Sequence, residues 1–231
     1  PAKVGDNVKG TLREFLDLAE PSTLMEKLKA LGEAKVRVRL DPDSAPIRFA
    51  QALQAEGVKF VPGQDPCIHP KAIKNAAEIK GARAAHLRDG VAMARFLAWL
   101  DEVAESGKID EITAAMKLED SRRESGQLRD ISFDTISAAG PNGAIVHYRP
   151  TTKGKRALQA GSLYLIDSGA QYRDGTTDVT RTLAVGTPTA EMKRHYGLVL
   201  KAHIAIATAR FPKGTRGLHL DPFARRPLWE A

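Results

Sequence analysis

Two aspartates beside neighbouring predicted strands offer the clearest chemistry in this sequence. Asp167 ends an apolar run at 163–166, and Asp178 lies 11 positions later, near the start of an alternating run at 177–185. If a hairpin joins the runs, cross-strand neighbours lie about 5 Å apart and the carboxylates converge. Two ionised carboxylates that close repel one another unless a cation lies between them. Oxygen ligands suit Mn²⁺, Co²⁺ or Zn²⁺, and two such ions about 3.5–4 Å apart hold a bridging hydroxide as a nucleophile.

Each acid also has an ordinary structural interpretation. Taken alone, Asp167 is a turn former at a strand end, and Asp178 is a surface residue of a strand. Asp174, which precedes Gly175, is interpreted as a turn residue of the hairpin. The spacing therefore favours a metal site without deciding it.

Histidine is the other residue type with possible chemistry. A predicted buried strand at 144–148 carries His147 near its end, where the ordinary interpretation is that the residue closes the strand. His195 and His203 lie two turns apart on a predicted helix. The other three histidines are interpreted as surface residues: His69, His86 and His219. A single cysteine, Cys67, excludes an internal disulfide and a cysteine-based zinc site, and it fits a reducing compartment.

The elements that must position these residues change character along the chain. Residues 1–69 show strands at 36–40 and 58–61, with helical apolar spacing at 45–56 between them. A proline-rich stretch at 62–70 is the best linker candidate. From residue 132 onward the pattern is one of strands and turns, and a final helix is predicted to begin with Thr187 as N-cap and Pro188 at its first position.

Two helices lie between the linker and these strands. The first is predicted at 71–106, with Gly107 as its C-cap. Leu87 and Val91 start one apolar stripe on it and Phe96 belongs to another, which predicts packing on both sides. The second helix is predicted at 109–123, with Asp110 well placed to cap it.

Composition narrows the classes of partner. The 231-residue chain carries a net charge of +7, but its basic residues are interleaved with acids and form no aromatic-basic motif, so no nucleic-acid partner is expected. No apolar stretch approaches the length of about 18 residues that a membrane helix needs. The chain begins with proline rather than methionine, which by itself leaves open how many residues precede it.

The hairpin resembles the metal-binding hairpin of aminopeptidase P, one of the pita-bread metallopeptidases that also include prolidase and methionine aminopeptidase. The similar residues are 166–172 (IDSGAQY) and 174–182 (DGTTDVTRT), and the family's two aspartate ligands also stand 11 positions apart. Three further regions match the family: 71–78 (KAIKNAAE), 140–148 (GPNGAIVHY), and 214–217 (GTRG) together with 220–225 (LDPFAR). The three-domain cytosolic type is the best match.

The resemblance implies an α+β fold with an incomplete pita-bread catalytic domain at 70–231. Residues 1–69 would be the end of a creatinase-N-terminal-like α/β middle domain. Asp167 and Asp178 would bind two divalent metal ions, Mn²⁺ before Zn²⁺ or Co²⁺, and His147 would donate a hydrogen bond to the substrate. The intact parent is then expected to be a cytoplasmic homodimer. It would hydrolyse the bond between an N-terminal residue and a following proline, using the metal-bridging hydroxide.

The resemblance also implies an incomplete site. The family uses five protein ligands, and its histidine and two glutamates have no counterpart before Ala231. We therefore expect this chain alone to bind metal weakly, to be inactive, and to expose a sheet edge along 177–185. The alternatives are a prolidase-type dipeptidase, a metal-free creatinase-like hydrolase, a non-catalytic binding protein on the same fold, or a fragment that folds poorly.

Overall fold

A computed structural model describes residues 5–34 and 36–231, which divide into two compact units. The first unit extends to Asn75, and the second is Ala76–Ala231. This division lies close to the predicted boundary between residues 69 and 70, whose assignment to a middle and a catalytic domain stays a prediction. Within the described residues, no helix combines the length and the apolar character needed to cross a membrane.

The first unit is a strand-helix-strand arrangement with additional helices. Its elements are α1 (Asp6–Arg13), a 3₁₀ turn (Pro21–Thr23), α2 (Leu24–Glu33), β1 (Val38–Leu40), α3 (Ile47–Ala55), β2 (Phe60–Pro62) and α4 (Ile68–Ala72). Strands β1 and β2 pair in parallel, and α3 connects them. Leu53 of α3 is 1% exposed and packs in this unit's core. The strands and helix predicted between 36 and 61 are therefore present.

The second unit places two long helices beside an antiparallel sheet. Its elements are α5 (Ala76–Val103), a 3₁₀ turn (Ala104–Ser106), α6 (Glu111–Arg123), β3 (Asp130–Ile131), β4 (Ile136–Ala139), a 3₁₀ segment (Gly140–Ala144), β5 (Ser162–Ser168), β6 (Ala170–Gln171), β7 (Val179–Val185), α7 (Ala190–Ala207) and α8 (Gly217–Trp229). The main sheet has the order β4-β5-β7, and β3 pairs with β6. Among the described strands β7 pairs with β5 alone, so it forms a sheet edge, as predicted.

The core of this unit fixes which way β5 faces. Tyr164 and Ile166 are fully buried, in the same cluster as Phe96 of α5 and Leu118 of α6. Successive side chains of a strand point to opposite faces. Asp167 therefore belongs to the face away from this cluster.

Helix α5 differs from its prediction in two ways. It begins at Ala76 rather than at residue 71, and Leu87 and Val91 are 75% and 48% exposed rather than packed. Further along the helix, the packed face carries Phe96 in the core, as predicted. Near the start of the helix the packed face carries small residues instead, since a Cβ added to Gly81 would lie 2.1 Å from the Asp174 carbonyl oxygen. Close approach of the hairpin to α5 thus excludes the larger aliphatic side chains from this contact.

The C-terminal helices also depart from expectation. Helix α7 is capped by Thr189, whose Oγ1 accepts a hydrogen bond from the Met192 amide at 3.1 Å, so the prediction of Thr187 as the cap is wrong. Helix α8 was not predicted at all, because it contains Pro222 and Pro227 and proline usually argues against a helix interior.

The cap of α6 gives a first testable prediction. Asp110 Oδ1 accepts from the Thr113 amide at 2.8 Å. Burial alone would raise the pKa of Asp110, but hydrogen bonds from Lys155 and Thr113 outweigh it and lower that pKa. A lowered pKa gives stability that is present above the unfolded-state value and is lost as pH falls through the folded-state value.

We therefore expect Asp110→Ala to lower the free energy of unfolding by about 1 kcal/mol at pH 7. The difference from the wild type should shrink as the pH falls below about 4, where the carboxyl of the unfolded chain is already protonated. Urea unfolding of both proteins across this range measures it. A cost that stays constant with pH would contradict capping by the ionised carboxylate.

Candidate metal site

The two candidate ligands lie on one face of the sheet at the end of the β5–β7 ladder. Asp167 is paired with Thr180 and Ser168 with Val179, and Asp178 directly precedes β7. Continuing this register places Asp178 diagonally across from Asp167 rather than directly opposite. Diagonal neighbours on one face lie about 7–8 Å apart. The cross-strand spacing of about 5 Å therefore applies to Asp167 and Thr180, and the convergence of the two carboxylates on one point stays a prediction.

Asp167 carries the most direct sign of an absent ligand. Its Oδ1 is buried and has no hydrogen-bond partner in the described part of the chain. Leaving a buried polar atom unpaired costs about 1–3 kcal/mol, and more for a charged group. A cation would satisfy that oxygen, and the exposed Asp178 would offer it a second carboxylate from the solvent side. These two residues therefore fit part of a divalent metal site.

The donor set among the described residues is nonetheless small. Within 5–34 and 36–231, no group of three or more His, Cys, Asp or Glu side chains is arranged to hold a metal ion. Two carboxylates leave most positions of a divalent ion to water. The described residues thus provide a pair of candidate ligands rather than a closed site.

The turn between the aspartates is a tight hairpin that excludes larger residues. The Tyr172 amide donates to the Gly175 carbonyl at 2.9 Å, which closes the turn. A Cβ added to Gly169 would lie 2.0 Å from the Thr177 carbonyl oxygen and 2.1 Å from Ser132 Oγ. Only glycine fits that position, so the backbone itself brings the ends of β5 and β7 together.

Asp174 lies at the tip of the hairpin, as predicted for a turn residue, and its carboxylate forms an ion pair. Both of its carboxylate oxygens accept from Arg88, at 3.0 and 2.9 Å. The hydrogen bond from Arg88 lowers the pKa of Asp174. Arg88 also lies over the ring of Tyr172, 4.8 Å from its centroid. Asp174 is therefore engaged on the α5 side and is a suitable control for the two candidate ligands.

His147 lies in a loop, so the predicted buried strand at 144–148 is wrong. Gly140–Ala144 is a 3₁₀ segment, and His147 has a φ of 54°, which is incompatible with a strand. Ile145 and Val146 are 53% and 82% exposed. A non-glycine residue in this conformation is uncommon, and such residues are concentrated at functional sites.

A buried carboxylate holds this loop from both sides of His147. Glu111 is fully buried and accepts from Asn142 Nδ2 at 2.9 Å and from Tyr148 Oη at 2.9 Å. It also accepts from the Arg156 amide at 3.0 Å. Burial and the Glu111 carboxylate raise the pKa of Tyr148, which keeps its phenol protonated as a donor. These anchors turn the chain away from strand geometry, which explains the failed strand prediction.

The loop approaches the same face of the sheet as the aspartates. A Cβ added to Gly143 would lie 3.9 Å from the Cβ of Leu165, and Leu165 shares its face of β5 with Asp167 because it is two residues away. The segment that leads into His147 therefore lies on the carboxylate face.

A groove of about 810 Å³ runs along the same face between β7 and α7. Thr180, the partner of Asp167, lines it together with Tyr196, His195 and His203. The two histidines lie two turns apart on helix α7, as predicted, and both line this groove. They complete no metal-binding group of three with the aspartates in the described part of the chain.

Sequence reasoning did not single out two buried acids, Asp89 and Glu111. Asp89 is 3% exposed and lies in line with the buried Ala85 and Phe96 on α5. An acid within a small-residue stripe at helical spacing was the available signal for Asp89. Glu111 follows a helix cap directly, where acids are common for another reason, so no pattern distinguished it.

Comparison with known families places the chain. A profile of metallopeptidase family M24 matches residues 80–231, which include α6, the hairpin and both C-terminal helices. The chain belongs to metallopeptidase family M24.

Two curated relatives are named "Probable Xaa-Pro aminopeptidase P". The protein from Laccaria bicolor is 48% identical over 189 residues, which cover 81% of this chain and 29% of the relative. The protein from Chaetomium globosum is 45% identical over 240 residues, covering 99% of this chain and 38% of the relative. The matched residues thus span 29% and 38% of the lengths of these two relatives. They confirm the predicted resemblance to aminopeptidase P.

Solved structures agree with this placement. The X-prolyl aminopeptidase from Caenorhabditis elegans, described as a cytosolic enzyme with a di-nuclear active site, superposes with a TM-score of 0.87 at 32% identity. The match covers 99% of this chain and 38% of that one. Prolidase from Pyrococcus furiosus gives a TM-score of 0.74 at 25% identity, covering 98% and 65%. The predicted pita-bread fold class is confirmed.

Proposed function

We propose that this chain is part of a metal-dependent aminopeptidase that cleaves the bond between an N-terminal residue and a following proline. The observation that carries the proposal is the buried, unpartnered Oδ1 of Asp167 on the same sheet face as Asp178. Its substrate class rests on the names of the relatives, which are Xaa-Pro aminopeptidases.

Asp167 and Asp178 hold divalent metal in this proposal, with Mn²⁺ as the preferred ion. Carboxylate oxygens are hard ligands that suit Mn²⁺. When bound, such ions polarise a carbonyl and lower the pKa of a bound water. The role of the protein chain is to hold the two carboxylates on one face of a closed hairpin, beside the groove that Thr180 lines.

His147 binds the substrate in this proposal. Its exposed side chain is on a loop whose preceding segment lies on the sheet face that carries the two aspartates. Its backbone is held at a φ of 54°. An imidazole N–H there is free to donate to a carbonyl oxygen of a peptide. The anchoring of Asn142 and Tyr148 to Glu111 keeps the loop in place without using the imidazole.

The proposal extends to the longer protein that the relatives represent. Residues 1–69 would be the end of its middle domain and residues 70–231 part of its catalytic domain. A homodimer is proposed for the whole protein. A cytoplasmic location is also proposed, in line with the C. elegans structure described as cytosolic. The 231-residue chain alone is proposed to bind metal weakly and to lack activity, since no third side chain of suitable type joins the pair in the described residues.

Calorimetric titration of Mn²⁺ into the 231-residue chain tests the proposed site. We expect weak binding at one site, which is lost in both Asp167→Asn and Asp178→Asn because each removes a charged ligand. Asp174→Asn is the matched control, since that carboxylate belongs to the same hairpin but is paired with Arg88, and its binding should match the wild type.

Other results would change the conclusion. Binding that survives in both ligand variants would place the metal elsewhere and contradict the proposal. The absence of binding in the wild type would show that Asp167 and Asp178 do not hold the metal without further ligands. Tight binding at two sites would contradict the proposal that the chain alone is incomplete.

A further inference from the structure

A buried ion pair fills the space beneath the hairpin that carries the two aspartates. Arg122 of α6 donates from Nε to Asp89 Oδ1 at 2.7 Å and from Nη2 to Asp89 Oδ2 at 3.1 Å. The side chains are 1% and 4% exposed. Arg122 also donates to Ser168 Oγ at 3.1 Å and to the Gly169 carbonyl at 3.4 Å. The guanidinium therefore donates hydrogen bonds to Ser168 and Gly169, the two residues that directly follow Asp167.

Asp89 accepts hydrogen bonds from the other side of the hairpin. Thr177 Oγ1 donates to Asp89 Oδ2 at 3.0 Å and accepts from the Ala170 amide at 3.0 Å. Tyr172 Oη donates to Asp89 Oδ1 at 3.0 Å. Burial and the Asp89 carboxylate raise the pKa of Tyr172, so the phenol remains a donor. Thr177 directly precedes Asp178, so the same carboxylate that pairs with Arg122 also fixes the second candidate ligand.

We propose that Asp89 and Arg122 are positioning residues that set the separation of Asp167 and Asp178 through the backbone of the hairpin between them. This inference rests on the proposed metal site, but it concerns groups that touch neither metal nor substrate. Groups behind the first ligands commonly alter metal affinity by about 10–100-fold when they are removed. Here the support acts on the residues immediately next to Asp167 and Asp178 and makes no hydrogen bond to either of those carboxylates.

A matched pair of threonine variants tests this without removing the buried charges. Thr177→Val removes the hydroxyl that links Asp89 to the Ala170 amide and keeps the branched shape. Thr176→Val makes the same change one residue earlier, where the exposed hydroxyl donates to the Gln171 side chain at 2.7 Å rather than to Asp89. Any difference between the variants therefore reports the link to Asp89.

Two measurements on the full chain separate positioning from metal binding. The first is amide hydrogen exchange over residues 168–178 in the metal-free protein, with exchange over 162–166 as the internal reference. The second is Mn²⁺ affinity, taken from the electron paramagnetic resonance signal of free Mn²⁺. We expect Thr177→Val to speed hairpin exchange about tenfold or more and to weaken Mn²⁺ binding at least about tenfold. Thr176→Val should leave both close to the wild type.

Each other outcome decides one of the two proposals. Unchanged hairpin exchange in Thr177→Val overturns the positioning role, and so does faster exchange with unchanged Mn²⁺ affinity. Faster exchange in a chain whose wild type binds no Mn²⁺ overturns the proposed metal site, while the hold of Asp89 on the hairpin stands. If Thr177→Val does not fold, Tyr172→Phe removes another hydrogen bond to Asp89 and is judged by the same two readouts.

Discussion

Arg122→Leu should lower the free energy of unfolding of the Ala76–Ala231 unit by about 3–5 kcal/mol. The substitution leaves the Asp89 carboxylate buried with no opposing charge. It also takes away the donors that Ser168 and Gly169 use. Removing one member of a buried ion pair is costly because the remaining charge keeps its desolvation penalty. Urea unfolding followed by the fluorescence of Trp99, which packs against the core of this unit, measures the loss.

The neighbouring arginine supplies the control for this prediction. Arg123 pairs with Glu119 on the surface of the same helix, and exposed pairs contribute about 0–1 kcal/mol. Arg123→Leu should therefore cost less than about 1 kcal/mol. Adding Asp89→Leu to Arg122→Leu should cost less than the sum of the two single changes, since no charge is then left buried alone. Equal costs for Arg122→Leu and Arg123→Leu would show that the buried pair adds nothing to stability.

Local sequence patterns were sufficient to predict the hairpin and the positions of Asp167, Asp174 and Asp178 along it. The alternation at 177–185 and the Asp174-Gly175 turn are short-range signals, and the structure places β7 and a closed turn there. The strand before Asp167 is an apolar run, which β5 confirms. The face of each acid then followed from the two-residue period of a strand.

Long-range partners account for what the sequence left undecided. Asp89 meets Thr177, 88 positions away, and Glu111 meets Arg156, 45 positions away. No window of local sequence contains both members of such a pair, so their burial could not be inferred from periodicity. The failed strand at 144–148 has the same origin, because the side chain of Asn142 bonds to Glu111, 31 positions earlier. Tertiary hydrogen bonds overrode the apolar run of Ile145 and Val146.

The diagonal placement of the aspartates is another case that spacing alone could not decide. Eleven positions between Asp167 and Asp178 are compatible with a direct or a diagonal pairing, and the turn chooses between them. Here the turn closed by Tyr172 and Gly175 and the bridge between Gln171 and Thr176 set the register of the strand pair. In that register Asp167 lies opposite Thr180. A diagonal pair leaves more room between the carboxylates than a direct pair does, which is compatible with the proposed binding of metal ions between them.

Glu111→Leu should lower the free energy of unfolding by a similar amount, because Glu111 anchors the loop that carries His147. The carboxylate is fully buried, and its loss leaves the Ala139 and Arg156 amides without this acceptor. Asn142 and Tyr148 lose their bonds to Glu111 as well and keep only the Gly154 carbonyl as acceptor beyond each other. Because each buried donor left unpaired costs about 1–3 kcal/mol, we expect a total loss of about 3–5 kcal/mol in the free energy of unfolding. Amide exchange over 140–148 should also rise, since the anchors on both sides of His147 are released. Urea unfolding and hydrogen exchange measure the two effects.

Two variants separate the role of this acceptor from that of charge on α6. Glu111→Gln keeps one oxygen for Ala139 and Asn142 but turns an amide N–H group toward the Arg156 N–H, so its cost should fall between wild type and Glu111→Leu. Glu119→Leu removes an exposed acid from the same helix and should cost less than about 1 kcal/mol. If Glu111→Leu resembled Glu119→Leu, the loop would not depend on the buried carboxylate. If it were destabilised without faster exchange at 140–148, Glu111 would support the core but would not hold the His147 loop.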